Sequence, residues 1–223
     1  MAGSKCRSQA AELTPVESLR IGIVAIQGGF AAHAKTLSTL GADTVEVRTV
    51  TELEEVDGLV IPGGESTTIL KGLTDCGLAE PLRNQVSQGM PTFATCAGVI
   101  VLARERLELL DLSVLRNAYG RQIHSFETEL QVDGSLAVDG EPFIGVFIRA
   151  PWMEELGPGV EVLAEHNSHP VAVRQESILA CAFHPELTDD PRFHALFLRM
   201  VRGTTVPRLE RRDERIKLGT GAQ

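Results

Sequence analysis

The chain reads as an α/β protein of three layers: helices on both sides of a mostly parallel central sheet, with antiparallel additions in the second half. Two observations predict this. In the first half, β-prone runs at 21–26, 44–48, 58–61 and 92–95 alternate with segments of helical periodicity. Several of these runs are apolar without alternation, as strands covered on both faces of a parallel sheet must be. In the second half, strand-like stretches follow one another with turn signals at Asp133-Gly134, Asp139-Gly140 and Gly157-Pro158-Gly159, which is the pattern of antiparallel neighbours.

Taken in order, residues 1–19 are small and polar and read as a mobile extension, with order expected from Arg20. After the strand at 21–26, the spacing predicts a helix over 30–40 with Phe30, Ala34, Leu37 and Leu40 on one face, closed by Gly41. Thr51 and Glu54 form a capping-box pattern after the second strand. The third strand runs into Pro62-Gly63-Gly64-Glu65-Ser66. Helices are expected at 67–73 and 79–88, with Gly77 and Pro81 as interruptions. Beyond 92–95, the run Val-Ile-Val-Leu-Ala-Arg-Glu-Arg at 99–106 reads as a helix. Strands follow at 112–115, 127–133, 143–149, 160–165, 171–175 and 178–183. A last helix at 191–201 sets Phe193, Leu196, Phe197, Met200 and Val201 on one side. Residues 203–223 are charged and aperiodic, a flexible tail, so that 20–202 form one domain.

The formal net charge of −9 argues against a nucleic-acid backbone or an anionic membrane surface as partner. No apolar run reaches the roughly 18–20 residues of a bilayer span. The first residues lack the apolar core of a secretory signal. Four cysteines, Cys6, Cys76, Cys96 and Cys181, have no CxxC spacing. This argues against a zinc site and for reduced thiols in the cytoplasm. No metal or bound cofactor is expected.

The chemistry gathers around Cys96. A short β-prone run enters it, Ala97-Gly98 leaves it, and a helix follows, so the thiol stands at the apex of a strand-to-helix elbow. Helix N–H groups beside the sulfur favour a thiolate and can donate to an oxyanion. A buried structural cysteine is the plainer alternative. His184-Pro185-Glu186 follows the apolar run 178–183. On an extended chain the imidazole and the carboxylate two residues on project to one side. The carboxylate can then accept Nδ1–H and leave Nε2 to serve the thiol. The alternative there is a surface pair at a strand exit. His166 and His169, in a turn-like Asn-Ser segment, are assigned surface roles. Pro62-Gly63-Gly64-Glu65-Ser66 lies at the carboxyl end of a parallel strand, where ligands collect. Gly64 N–H and Ala97 N–H are assigned to an oxyanion hole.

Gly-Gly-Glu-Ser, Thr-Cys-Ala-Gly and His-Pro-Glu, in this order, resemble class I glutamine amidotransferases, whose fold is flavodoxin-like. More narrowly, 62–68, Arg-Asn-Ala-Tyr-Gly-Arg-Gln (116–122), Ser-Phe-Glu (125–127), Val-Phe-Ile-Arg-Ala-Pro (146–151) and Phe-His-Pro-Glu-Leu (183–187) resemble the glutaminase subunits of pyridoxal 5′-phosphate synthases. The resemblance implies hydrolysis of L-glutamine to L-glutamate and ammonia. The ammonia would pass to a (β/α)8-barrel synthase subunit in a hetero-oligomeric complex that makes the vitamin B6 cofactor. It implies Cys96 as nucleophile, His184 as general base and acid, and Glu186 as orienting carboxylate. Glutamine contacts would fall on Gly64, Glu65, Ser66, Arg116, Ile148 and Arg149. The rival readings are a glutaminase serving another acceptor, as in imidazole glycerol phosphate synthase, or a catalytically silent docking module. Two departures stand out. Ala94 replaces a glycine of the family and fits only at negative φ. The stretch from Cys96 to Arg116 is shorter than in the family, so the helix after the elbow and its loop are abbreviated.

Overall fold

The computed structural model describes residues 18–115, 125–136 and 141–204. Most of the expected extension and tail, the 116–122 motif with Arg116, and the Asp139-Gly140 turn lie outside the described residues.

The first half alternates as the sequence predicts: β1 (Arg20–Val24), α1 (Phe30–Thr39), β2 (Asp43–Val47), α2 (Val50–Glu54), β3 (Gly58–Ile61), α3 (Ser66–Asp75), α4 (Ala79–Ser87), β4 (Thr92–Thr95) and α5 (Ala97–Leu102). The second half holds β5 (Ser113–Leu115), β6 (Ser125–Leu130), β7 (Phe143–Ile148), β8 (Trp152–Glu154), β9 (Glu161–His166), β10 (His169–Gln175) and β11 (Ile178–Cys181). A 3-10 turn at Pro185–Leu187 and α6 (Arg192–Thr204) complete it.

Seven strands form the main sheet in the order β2-β1-β3-β4-β11-β10-β9. The five from β2 to β11 are parallel, and β10 and β9 add antiparallel at one end. Every residue of β3, β4 and β11 is buried, the signature of strands covered on both faces. The remaining strands do not extend this sheet as the sequence reading expected. β5 pairs with β8, and β6 with β7, in two separate ribbons. β8 was not expected at all. It is three residues long and follows Pro151, too brief for a period-2 pattern to register.

Strand order reverses between β1 and β3, so a crevice opens at their carboxyl ends. Register then sets the height of each exit. Ile61 pairs with Ala94, Ala94 with Ala180 and Thr95 with Cys181. The chain therefore leaves β3, β4 and β11 at one level, delivering Gly63, Cys96 and His184 to the same crevice. Ala94 is buried in β4 and its φ is not positive, so alanine is unstrained at the position where the resemblance led to an expectation of glycine.

Local corrections have local causes. The capping box is Thr49 with Glu52, not Thr51 with Glu54. Thr49 still has the extended dihedrals of a strand exit, whereas Thr51 already lies inside α2. Pro81 does not interrupt α4; it occupies the first turn, where its missing N–H costs nothing. α5 stops at Leu102 rather than continuing to 106, because Ala103 turns extended and bridges to Leu110. Arg104 is then free to bond Asp111 and the Glu155 carbonyl. α6 runs through Thr204, past the expected end at 201.

The elbow depends on a close approach. A Cβ on Gly98 would lie 2.2 Å from the Ile61 carbonyl oxygen, so only glycine lets α5 start against the end of β3. The obstacle is backbone and cannot swing away. Gly98→Ala is expected to cost about 3 kcal/mol, at the upper end of overpacking effects, measured as a lower denaturation midpoint at unchanged m-value.

Candidate active site

Cys96 has φ 47 and ψ −105, a left-handed region that non-glycine residues enter only when their surroundings force them. The force is visible on both sides. Its N–H donates to the Cys181 carbonyl at 2.8 Å, which ties the apex to β11. Ala97-Gly98 meanwhile enters α5 at once. The sulfur bonds the Ile148 carbonyl oxygen at 3.8 Å, at the end of β7. It is 6% exposed, reached only from the crevice. Cys181 lies behind it, where burial pushes its thiol well up and keeps it neutral.

His184 arrives from the other side. Its N–H donates to the Val146 carbonyl at 2.8 Å, anchoring the β11 exit to β7. The preceding Phe183 is buried among Phe143, Phe147 and Phe193 at centroid distances of 5.2–5.5 Å. The expected extended His-Pro-Glu segment is instead a 3-10 turn. His184 precedes it with φ −111 and ψ 84, and Pro185 takes the first position, which its fixed φ suits. The turn still brings the two side chains together, with His184 Nδ1 2.8 Å from Glu186 Oε1. The ring also bonds the Cys96 thiol, which leaves Nε2 as the nitrogen facing sulfur. Burial opposes a charge on His184, but the bonds to Cys96 and Glu186 and their charges outweigh it, raising the imidazole to about 10. Glu186 is buried too. Burial would raise its carboxyl, yet His33 and His184 hold it below the ordinary value.

The crevice encloses a cavity of about 360 Å³, bounded by the loops after β1, β3, β4 and β11 and by the end of β7. Gly64, Glu65, Ser66, Ala97, Ile148 and Arg149 all line it, beside Cys96, His184 and Glu186. Of the expected site residues, Arg116 alone lies outside the described residues. Arg149 is exposed and has φ 46, a second non-glycine residue in the left-handed region at the cavity wall. Glu65 caps α3, accepting from Thr67 N–H, Thr68 N–H and Thr68 Oγ1, and these bonds depress its carboxyl to about 2. A Cβ on Gly63 would come within 2.4 Å of His184 Cε1, so the loop after β3 can lie against the imidazole only as glycine.

Three residues escaped the sequence reading. Gln27 lines the cavity and accepts the Glu65 N–H at 2.6 Å; a polar residue directly after an apolar strand was its signal. His33 and His194 are fully buried, on the apolar stripes of α1 and α6. A histidine three residues from Phe30 and four from Leu37 lies on the inward face, and that spacing could have marked it. His166 and His169 flank the two-residue turn Asn167-Ser168, both at positive φ as such hairpins require. They are half-buried rather than plainly on the surface: His169 stacks on Trp152 at 3.9 Å, and His166 lies against Phe126 and Phe147.

Residues 23–203 match the model of the SNO glutamine amidotransferase family. The chain belongs to that family. It is 54% identical over 194 residues to the pyridoxal 5′-phosphate synthase subunit PdxT of Frankia alni, covering 83% of this chain and 96% of that one. It is 47% identical over 191 residues to the subunit of the same name from Thermotoga petrophila, covering 82% and 100%. A crystal structure of a glutamine amidotransferase matches at 46% identity with a TM-score of 0.76, over 82% of this chain and 98% of that one. The α/β architecture is thus that of the glutamine amidotransferases. Among the described residues of this family member, no helix is long and apolar enough to cross a membrane.

The raised imidazole can be read directly. The ring protons of His184 are expected to titrate near 10 by NMR. In Cys96→Ala, where the thiol bond and charge are gone, the titration should move down toward the ordinary histidine value.

Proposed function

We propose that this chain is the glutaminase subunit of a pyridoxal 5′-phosphate synthase. It hydrolyses L-glutamine to L-glutamate and ammonia, and the ammonia passes to a (β/α)8-barrel synthase subunit in a hetero-oligomeric complex. The observation that carries this reading is His184 bonded to both Cys96 and Glu186 on the wall of one cavity. Family membership and the names of the relatives supply the substrate and the pathway. We assign the glutaminase domain to residues 20–202 together with the end of α6, and its location to the cytoplasm, where thiols stay reduced.

In the proposed cycle, His184 holds the proton and Cys96 attacks as the thiolate. The new S–C bond moves the amide π electrons onto oxygen, and Gly64 N–H and Ala97 N–H receive the oxyanion. Collapse breaks the C–N bond as His184 Nε2 gives its proton to the departing ammonia, leaving a thioester. The neutral imidazole then takes a proton from water, which attacks the thioester. A second collapse returns the thiolate, the imidazolium and glutamate. Glu186 orients the ring throughout and stabilises its charge. The Glu65 carboxylate, kept ionised by its cap, suits the α-ammonium of glutamine, and Arg116 and Arg149 suit its α-carboxylate. Ser66 and Ile148 complete the binding set.

Cys96→Ala is expected to abolish ammonia release while leaving the circular dichroism spectrum unchanged; retained turnover would sink the assignment. Glutamate formation by the purified chain should be low alone and rise on adding a pyridoxal 5′-phosphate synthase subunit. Equal rates with and without that subunit would assign the ammonia to a different acceptor.

A further inference from the structure

Behind Glu186 lies a second pair of imidazoles that the cycle above does not use. His33, from α1, and His194, from α6, are both fully buried, with His33 Nδ1 and His194 Nε2 2.9 Å apart. The other nitrogen of His33 faces the site. Its Nε2 is 3.1 Å from Thr95 Oγ1 and 3.4 Å from Glu186 Oε2. Glu186 Oε2 is the carboxylate oxygen not taken by His184, and among the described residues it has no hydrogen bond of its own. Thr95 Oγ1 in turn accepts the Gly63 N–H at 3.0 Å.

We infer that His33 is a positioning residue of the glutaminase site, its neutral imidazole turning Nε2–H toward the outer oxygen of Glu186 and toward Thr95 while His194 fixes its other nitrogen. The inference rests on the glutaminase reading. Proton accounting selects this tautomer. With Nε2–H on His33, Nδ1 accepts from His194 Nε2–H, and the atom left without a partner, His194 Nδ1, is a bare lone pair. The opposite tautomer buries an unpartnered N–H on His194 and points a nitrogen lone pair at a carboxylate. An unmade buried donor is the costlier defect. Burial holds both rings neutral: His194 falls to about 3, and His33 is lowered although Glu186 opposes the shift.

The consequence is a carboxylate approached by imidazoles from two sides. His184 donates to Oε1, and His33 Nε2 lies 3.4 Å from Oε2. The titratable groups around Glu186 are His184 from the β11 exit, His33 from α1, His194 from α6, and Cys96 and Cys181 from the elbow and β11. Removing the His33 donor raises the Glu186 carboxyl, so activity falls away at higher pH on the acid side. Through Thr95, the same ring steadies the loop that carries Gly63 and Gly64.

Two amide substitutions separate the two nitrogens. His33→Gln places an N–H near the Nε2 position, whereas His33→Asn reaches only the Nδ1 position. Both are assayed with a pyridoxal 5′-phosphate synthase subunit for kcat and KM across pH. Alkylation of Cys96 by iodoacetamide, followed by peptide mass, is measured in parallel and needs no glutamine. His33→Asn should lower kcat about tenfold with KM within about twofold, and move the acid limb of both profiles up by about one unit. His33→Gln should recover most of the loss. A folded His33→Asn with the wild-type acid limb, or a His33→Gln as impaired as His33→Asn, overturns the inference. If His33→Asn does not fold, His194→Leu carries the test: it frees His33 Nδ1, so its acid limb should move the same way by less, and no movement overturns the inference. Wild-type protein that never turns over glutamine while the alkylation limb still shifts would defeat the glutaminase reading and leave His33 as the residue positioning Glu186.

Discussion

The parallel register of β3, β4 and β11 is the constraint from which the site follows. Because Ile61, Ala94 and Ala180 sit side by side, three strands end at one height. Their exits carry a glycine pair, a cysteine thiol and an imidazole. A slip of one residue in any of them would turn its strand's side chains to the other face and move its exit by about 3.3 Å. That distance exceeds the tolerance of a hydrogen bond. Complete burial of these strands penalises such a slip, so the geometry of the chemistry is enforced by apolar packing well away from it.

Against that frame, the elbow and the glycine loop are exchanges of local cost for position. Cys96 holds an unfavourable φ because its N–H is claimed by Cys181 and because Gly98 lets the next helix begin against the Ile61 carbonyl. Gly63 gives up a side chain so that His184 can lie flush against it. Charges are handled in the same way. Glu186 is a buried carboxylate, tolerable because imidazoles approach it from two directions.

Much of this was legible in the sequence, for reasons that differ by element. The first-half strands and helices announce themselves through unbroken apolar runs and 3.6-residue spacing, which respond to burial alone. Cys96 and His184 could be placed together because each directly follows a strand-like run, and a strand end is a fixed place in an α/β sheet; Glu186 joined them through its spacing of two residues from His184. The misses share another cause: they depend on tertiary contact. Thr49 and Thr51 both begin a Thr-x-x-Glu pattern, and only the point where β2 lets go decides between them. Whether β5 to β8 join the main sheet or form ribbons depends on partners far along the chain. His33 and His194 look like ordinary helix residues until the two helices are seen to meet beside Glu186.

The two outer strands of the main sheet, β2 and β9, carry exposed acids, Asp43 and Glu46 on one and Glu161 and Glu165 on the other, and the outer edge of β9 is partly covered by the bridge from Val132 to Ala164. An unpaired strand edge is a template for another chain, and like charges brought into register there repel. Two copies of this molecule therefore have little incentive to extend one sheet across both. The same acidic excess that sets the net charge of −9 thus discourages pairing of one sheet edge with another.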